Sequence, residues 1–411
     1  MNESKYNSRI NSSLLAFLVI VNLVLVIFLF NSSRSDNNVS FSELNSLDAN
    51  MGFDELTAYF KKLAEEKGGR YAFQVLKVAE LGENIDLHLL GHEVGNVLYK
   101  QEGISAITAC DNDFRNACSH SVVIGIFEDN GETALKDIAE ACKKAPGGIG
   151  AYTMCFHGLG HGILSYEGYD MEKASKICQK TGTAEYGYNE SAQCISGTVM
   201  EIIGGGFHDR DIWTDQRIKY LDKNKPLSLC QKDFIPENAK SFCYDYLTPF
   251  LFEAVGANIG SPTDEDFKKA FKICDSIPLN QAGYRDACFG GFGKEFNGLV
   301  QGRDIRMDSV NSISKEKLGK IHDWCMLTDK VDDQKSCIIH AMNSLYWGGE
   351  NDKMVPINFC TVSRTEELRG LCFSNLNGSV SYYIKDRNYR VDYCSKIPEN
   401  YKEECQKALL N

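Results

Sequence analysis

The stretch "GETALKDIAEACKKAPGGIGAYTMCFHGLGHGILSY", residues 131–166, holds two cysteines, Cys142 and Cys155, and their setting decides how the rest of the chain is read. An amphipathic segment ends at Cys142. A loop follows, and Cys155 opens a second helix-length segment, "CFHGLGHGILSY". That segment is odd as a helix, because each interior Gly costs about 1 kcal/mol relative to Ala unless close packing or a ligand compensates. Gly158, Gly160 and Gly162 therefore call for a physical reason, as does the pair His157 and His161 at i,i+4.

The pattern repeats along the chain. All sixteen cysteines form successive close pairs: Cys110/Cys118, Cys142/Cys155, Cys178/Cys194, Cys230/Cys243, Cys274/Cys288, Cys325/Cys337, Cys360/Cys372 and Cys394/Cys405. First members recur at intervals of 32 to 52 residues, the repeat length of helical-hairpin arrays. "DMEKASKIC", "DEDFKKAFKIC" and "SKEKLGKIHDWC" close one kind of helix, here termed outer. "CISGTVMEIIGG", "CYDYLTPFLFEAVG" and "CIIHAMNSLYWGG" open the other kind, termed inner. Neighbour pairing within each unit closes a short loop, worth about 3 kcal/mol per bridge on loop entropy. No C-x-x-C occurs, which excludes zinc ribbons and c-type haem attachment on spacing. An even, regular set of cysteines places the chain in an oxidising compartment.

The unit "IAEACKKAPGGIGAYTMCFHGLGHGILSYEGYDMEKASKICQ" resembles the disulfide-bridged variety of Sel1-like repeats, in which one cysteine ends helix B and another starts the next helix A. The resemblance is one of architecture over roughly residues 86–405. It implies an extracytoplasmic α/α solenoid, a scaffold type that holds partners. The expected fold is all-α: helical-hairpin repeats forming a solenoid or toroid, with one transmembrane helix before them.

Upstream of the repeats, residues 14–30 ("LLAFLVIVNLVLVIFLF") form an uncharged apolar run long enough to span a hydrocarbon core. Basic residues precede it and no small-residue cleavage signature follows, so it reads as an uncleaved signal anchor. Residues 1–13 are then a short cytoplasmic tail, 31–42 a polar tether, 43–85 two capping helices near 54–67 and 70–81, and 86–411 the extracytoplasmic repeat domain. Long intervals place insertions near 181–191, 205–222 and 297–312. With a net charge of −12 and no Lys/Arg cluster, nucleic acid is excluded as a partner.

Counting from the second cysteine of each unit, positions +2, +3, +6, +7 and +10 share one side of the inner helix. That side is polar. It holds His120 and Glu128; His157, Gly158 and His161; Glu201; Asp245 and Glu253; Lys294 and Glu295; His340 and Asn343. In "DLHLLGHEVG" Asp86 stands where the cysteine belongs, which puts His88 at +2, His92 at +6 and Glu93 at +7. Five of the eight histidines thus occupy equivalent places on three consecutive inner helices. His at i,i+4 can chelate one ion from a single helix face. The pairs His88/His92 and His157/His161, with His120 between and Glu93 and Glu201 as carboxylates, point to one transition-metal ion, Zn²⁺ first. The competing account is a set of core histidines bonded to carbonyls, with glycines that only pack helices.

Sharper motifs are missing. "GHEVGN" has Asn96 where the second His of H-E-x-x-H belongs, and there is no G-x-S-x-G, Walker A loop or G-x-G-x-x-G. "GGFGKEF" at 290–296 reads as a close-packed inner helix. No reaction is assigned. Two readings follow: a membrane-anchored repeat protein that binds a metal on its His/Glu face, or a non-catalytic cell-envelope scaffold gripping a protein or peptide.

Overall fold

The computed structural model describes residues 41–410 except 49, 82–84, 112, 183–188, 206–209, 302–312 and 349–352. The apolar run at 14–30 and its flanks lie outside the described residues, as do most of the insertion expected at 297–312 and parts of those expected at 181–191 and 205–222. Among the described residues every regular element is helical, and no helix is long and apolar enough to cross a membrane. Residues 41–47 contain a short 3₁₀ turn at Ser42–Ser46, separate from the compact unit of residues 48–411.

That unit begins with α1 (Phe53–Lys67) and α2 (Gly69–Val78), parted at Gly68, whose φ of +96° lies in the region that favours glycine. Both pack on α3 (Leu87–Glu102). Gln101 of α3 clasps the turn between them, accepting from the Gly69 N–H and donating to the Ala64 carbonyl at 2.8 Å each.

From α3 onward the chain alternates between two helix sets. The inner set continues with α4 (Asp113–Asn130), α6 (Gly148–Tyr166), α8 (Asn189–Gly204), α10 (Glu237–Tyr246), α13 (Ala282–Leu299), α15 (Val331–Gly348), α17 (Glu366–Tyr383) and α19 (Glu399–Leu409). Each packs on the next in that order. The outer set comprises α5 (Leu135–Cys142), α7 (Met171–Cys178), α12 (Asp264–Asp275), α14 (Lys315–Cys325), α16 (Met354–Thr361) and α18 (Arg387–Lys396). Two further helices, α9 (Arg210–Tyr220) and α11 (Thr248–Ala254), depart from the simple alternation. Contacts also run across the order of the chain, α15 touching α4 and α17 touching α6.

The eight disulfides all join sequence neighbours. They are Cys110–Cys118, Cys142–Cys155, Cys178–Cys194, Cys230–Cys243, Cys274–Cys288, Cys325–Cys337, Cys360–Cys372 and Cys394–Cys405. No cysteine is free.

Three local expectations are corrected. Except at α4, whose backbone is left-handed up to Asn116 just before Cys118, inner helices do not open at the second cysteine but several residues before it: α6 starts at Gly148, ahead of Cys155, and α13 at Ala282, ahead of Cys288. The same correction applies to Cys243, which lies inside α10 and not at its start, and to Cys372, which lies inside α17; those helices begin at Glu237 and Glu366. Their first turns are set by other signals, Pro236 before α10 and the Thr365 hydroxyl accepting from the Leu368 N–H at α17. The bridge therefore enters each helix from its side, after the backbone is already hydrogen-bonded. "CYDYLTPFLFEAVG" is two helices, because Pro249 has no N–H to continue α10 and instead takes the first turn of α11. The insertion expected at 205–222 contains α9, whose Trp213 is buried and donates its indole N–H to the Glu201 carbonyl at 3.0 Å.

The inner-helix glycines have a common cause. A Cβ at Gly160 would stand 1.9 Å from the Cys194 carbonyl oxygen of α8, and one at Gly197 would stand 2.0 Å from the His157 carbonyl of α6. Gly293 meets the Cys337 carbonyl of α15 in the same way, at 1.9 Å. Gly158 lies against the ring of His120, and Gly91 and Gly95 admit Ala117 and Ser121. Consecutive inner helices thus touch backbone to backbone, closer than any side chain permits, and the propensity lost at each glycine is offset by that packing.

Gly160→Ala is expected to cost at least about 2 kcal/mol, since the obstructing atom is a helix carbonyl that no rotamer change removes. Gly378→Ala, on α17 with open space around it, should instead stabilise by up to about 1 kcal/mol. Denaturant midpoints of the two variants check the contrast.

Candidate metal centre

The glycine seams bring five of the predicted site residues together. His88 and His92 project from α3, His120 from α4, and His157 and His161 from α6. The Nε2 atoms of His88 and His92 lie 3.2 Å apart, and those of His157 and His161 are also 3.2 Å apart. His120 sits between the pairs: its ring centre is 5.6 and 5.7 Å from His88 and His92, and 5.9 and 6.1 Å from His157 and His161. Ligand atoms of His88, His92 and His120 all fall within 4.8 Å of one another.

The partners of each Nδ1 settle the tautomers. His88 Nδ1 lies 2.6 Å from the carbonyl oxygen of Phe114, and His161 Nδ1 lies 2.9 Å from Glu201 Oε2; both partners only accept, so both nitrogens donate. His92 Nδ1 lies 2.9 Å from Ser121 Oγ, whose own proton is given to the His92 carbonyl at 3.0 Å. His157 Nδ1 lies 2.8 Å from Ser196 Oγ, whose proton goes to the Gln193 carbonyl at 2.6 Å. Both hydroxyls must therefore accept from imidazole. Where both rings of a pair are neutral, each therefore carries its proton on Nδ1 and presents an Nε2 lone pair to the other. Two such acceptors at 3.2 Å repel one another unless an electrophile joins them.

Burial first, and then the neighbouring histidines, hold the His120 and His157 rings well below the usual imidazole range, so both stay neutral. His120 is 3 % exposed, and neither of its nitrogens has a hydrogen-bond partner. A buried imidazole with both nitrogens unsatisfied costs several kcal/mol as it stands.

The carboxylates fall elsewhere. Glu201 comes one step further out, where it accepts from His161 Nδ1 and from the Tyr169 hydroxyl at 3.3 Å, and so orients the His161 ring. Glu93 is not in the converging group of His88, His92 and His120. Glu253 is paired with Arg217 at 2.7 Å. The local fold supplies the orienting acceptors from the next inner helix in each case: α4 for the α3 pair, α8 for the α6 pair. On α4 the backbone adopts left-handed φ at Phe114, Arg115 and Asn116 (52°, 53° and 64°), and this turn carries the Phe114 carbonyl that meets His88. Non-glycine residues rarely adopt that conformation.

A second polar cluster adjoins the first. Asp245 of α10 accepts from His340 at 2.8 Å and from Lys294 at 3.3 Å, and Lys294 lies 3.4 Å from the centre of the Tyr246 ring. Tyr246 in turn stacks on His157, with ring centres 5.3 Å apart. Burial pushes the Asp245 carboxyl up, but Lys294 and His340 together outweigh it and bring it to about 2. The triad ties α10, α13 and α15 together and reaches the histidine cluster through Tyr246.

No protein-family model, curated protein or solved structure matches the chain.

His322, on α14, provides the contrast. It stacks on Phe359, donates Nε2–H to the Phe359 carbonyl at 2.9 Å and is fully buried; burial pulls it to about 4, with the Phe359 bond opposing. Because its folded value is depressed from 6.5, it favours the fold above that value, and the contribution is lost as pH falls toward 4. Between pH 7 and 5 wild type should lose about 2 kcal/mol of unfolding free energy that His322→Gln does not lose, read from denaturation curves at the two pH values.

Proposed function

We propose that this chain is a membrane-anchored, extracytoplasmic α/α repeat protein of Sel1-like architecture whose inner helices bind a transition metal. Residues 14–30 supply the anchor. The contacts of α15 with α4 and of α17 with α6 support a solenoid that closes on itself. The eight disulfides agree with an oxidising compartment.

One observation carries the metal reading: paired Nε2 lone pairs 3.2 Å apart on rings whose Nδ1 protons are already committed. Two imidazoles on a tetrahedral Zn²⁺, with Zn–N near 2.0–2.1 Å, hold their nitrogens about 3.4 Å apart. The spacing needs almost no adjustment. Neutral imidazole suits Zn²⁺ and, with different geometry, Cu²⁺, Fe or Ni. His88, His92 and His120 together make a three-nitrogen face with a fourth position left over, an arrangement in which a bound ion holds a water and lowers its pKa.

The test is elemental analysis of the purified full chain, with disulfides intact, after exposure to Zn²⁺, Cu²⁺, Co²⁺ and Ni²⁺ and desalting. Retained metal is expected in wild type, and none in the fourfold variant His88→Ala, His92→Ala, His157→Ala, His161→Ala. If folded wild type retains none of the four, the metal reading fails and a peptide-gripping scaffold takes its place. Ser196→Ala and Glu201→Gln, which remove only orienting groups, should each weaken Zn²⁺ binding about 10- to 100-fold in a competition titration against a chelating dye.

A further inference from the structure

Each inner helix packs on the next, yet His340 of α15 reaches past α13 to α10. Its Nδ1 lies 2.8 Å from Asp245 Oδ1, a residue 95 positions earlier in the chain. Gly290 of α13 leaves room for the ring, since a Cβ there would stand 2.3 Å from His340 Nδ1. On the other edge of the ring, Nε2 lies 3.9 Å from Asp286 Oδ2 of α13. Ser336, one turn before His340 on α15, also donates to Asp286. One imidazole thus stands between two carboxylates that belong to two different helices. The ring is 29 % exposed, so a proton can reach and leave it. Asp245 only accepts, and Nδ1 donates to it whether the ring is charged or neutral. Protonation changes the other edge. Charged, the ring turns an N–H toward Asp286; neutral, it turns a lone pair toward that carboxylate, and the two repel.

We propose that His340 is a pH-operated clasp of the inner-helix array: charged, it holds both Asp245 of α10 and Asp286 of α13 to α15, and neutral, it releases Asp286. The clasp is independent of the metal reading, because it involves none of the five clustered histidines. The charged groups acting on the ring are Asp245 from α10 and Asp286 and Lys294 from α13. Of the other helices packed on α15, α16 has no charged residue, α14 commits Asp323 to Arg364, α17 commits Glu367 to Lys335, and α4 sets Arg115 within electrostatic range of Tyr246. Burial pulls the His340 ring down, as does Lys294, but the bond and charge of Asp245 and the charge of Asp286 outweigh them and raise it above 6.5. With the folded value raised, the stabilisation is fully present below 6.5 and is lost as pH rises through the folded value. His322 on α14, whose folded value is depressed, responds in the opposite direction.

The experiment uses the full, disulfide-intact chain kept metal-free with a chelator. In ¹⁵N spectra of histidine-labelled protein, with His340 assigned from His340→Gln, its titration midpoint is expected above about 6.5, the ordinary imidazole value, and Asp286→Asn should bring it down. Denaturant midpoints at two pH values, about 6 and about 9, on either side of the raised value, then read the clasp itself. Wild type should exceed His340→Gln at the lower pH by a margin that disappears at the higher. Asp286 is exposed, so Asp286→Asn leaves the core untouched and keeps the proposal open to refutation even if His340→Gln fails to fold. That variant should fall below wild type at the lower pH and lose the deficit at the higher. A His340 midpoint at or below the ordinary value overturns the clasp. So does a margin over His340→Gln that is the same at both pH values, or an Asp286→Asn chain that matches wild type at both.

Discussion

Neighbouring inner helices approach one another backbone to backbone, and the remaining organisation depends on that contact. Where Gly160 of α6 meets the Cys194 carbonyl of α8, and Gly197 meets the His157 carbonyl in return, the two helices interlock with no side chain between them. The disulfides reinforce this from the outside, fixing the ends of outer helices to the interior of inner ones. They could not create it, because a local covalent bridge restricts the unfolded chain but does not set how near two inner helices come. That distance is set by glycine, and it brings ligand atoms of His88 and His92 on α3 and His120 on α4 within 4.8 Å of one another.

Helices this close leave little room for solvent, so burial holds the His120 and His157 rings well below the usual imidazole range. Neutral imidazole is the form that binds metal. The surrounding acceptors then remove the remaining freedom: two carbonyl-committed serines, one backbone carbonyl and one carboxylate orient four rings. Each such bond would be an ordinary core contact alone. Together they fix the orientation of four rings, beside a fifth ring that has no hydrogen-bond partner. The neighbouring triad of Asp245, Lys294 and His340 shows the other outcome available to buried polar groups, in which opposite charges satisfy one another and no external ion is called for.

Much of this was legible in the sequence because it is periodic. Cysteine order gave away the neighbour disulfides, and counting from the second cysteine put five histidines on one face of three helices. The carboxylates are less legible, because a +7 position does not fix depth: Glu201 sits behind His161, and Glu93 is not in the converging group of His88, His92 and His120. Ser121 and Ser196 lie on the same polar stripe, but a serine on a helix face carries no signal that it orients a histidine. The Phe114 carbonyl had no signal at all: its role comes from three left-handed residues that no local composition announces. Helix starts were misplaced for a related reason. Cysteines such as Cys155, Cys243 and Cys372 mark where two helices are stapled, which is a turn or more inside the inner one. Pro249, in contrast, is a visible breaker in a segment that reads as one helix, and the buried face of α9 lies in a region that the interval marks only as an insertion.

Metal binding of this kind requires the metal-free protein to hold His88, His92, His157 and His161 as Nδ1–H tautomers with their Nε2 lone pairs facing in pairs. Long-range proton–nitrogen correlation spectra of the metal-free chain, labelled with ¹⁵N only at histidine, report the protonated nitrogen of each ring directly. Four rings with a pyrrole-type Nδ1 and a bare, pyridine-type Nε2 are predicted, assigned by single His→Gln variants. Protonated Nε2 atoms in either pair, with Nδ1 bare, would contradict it.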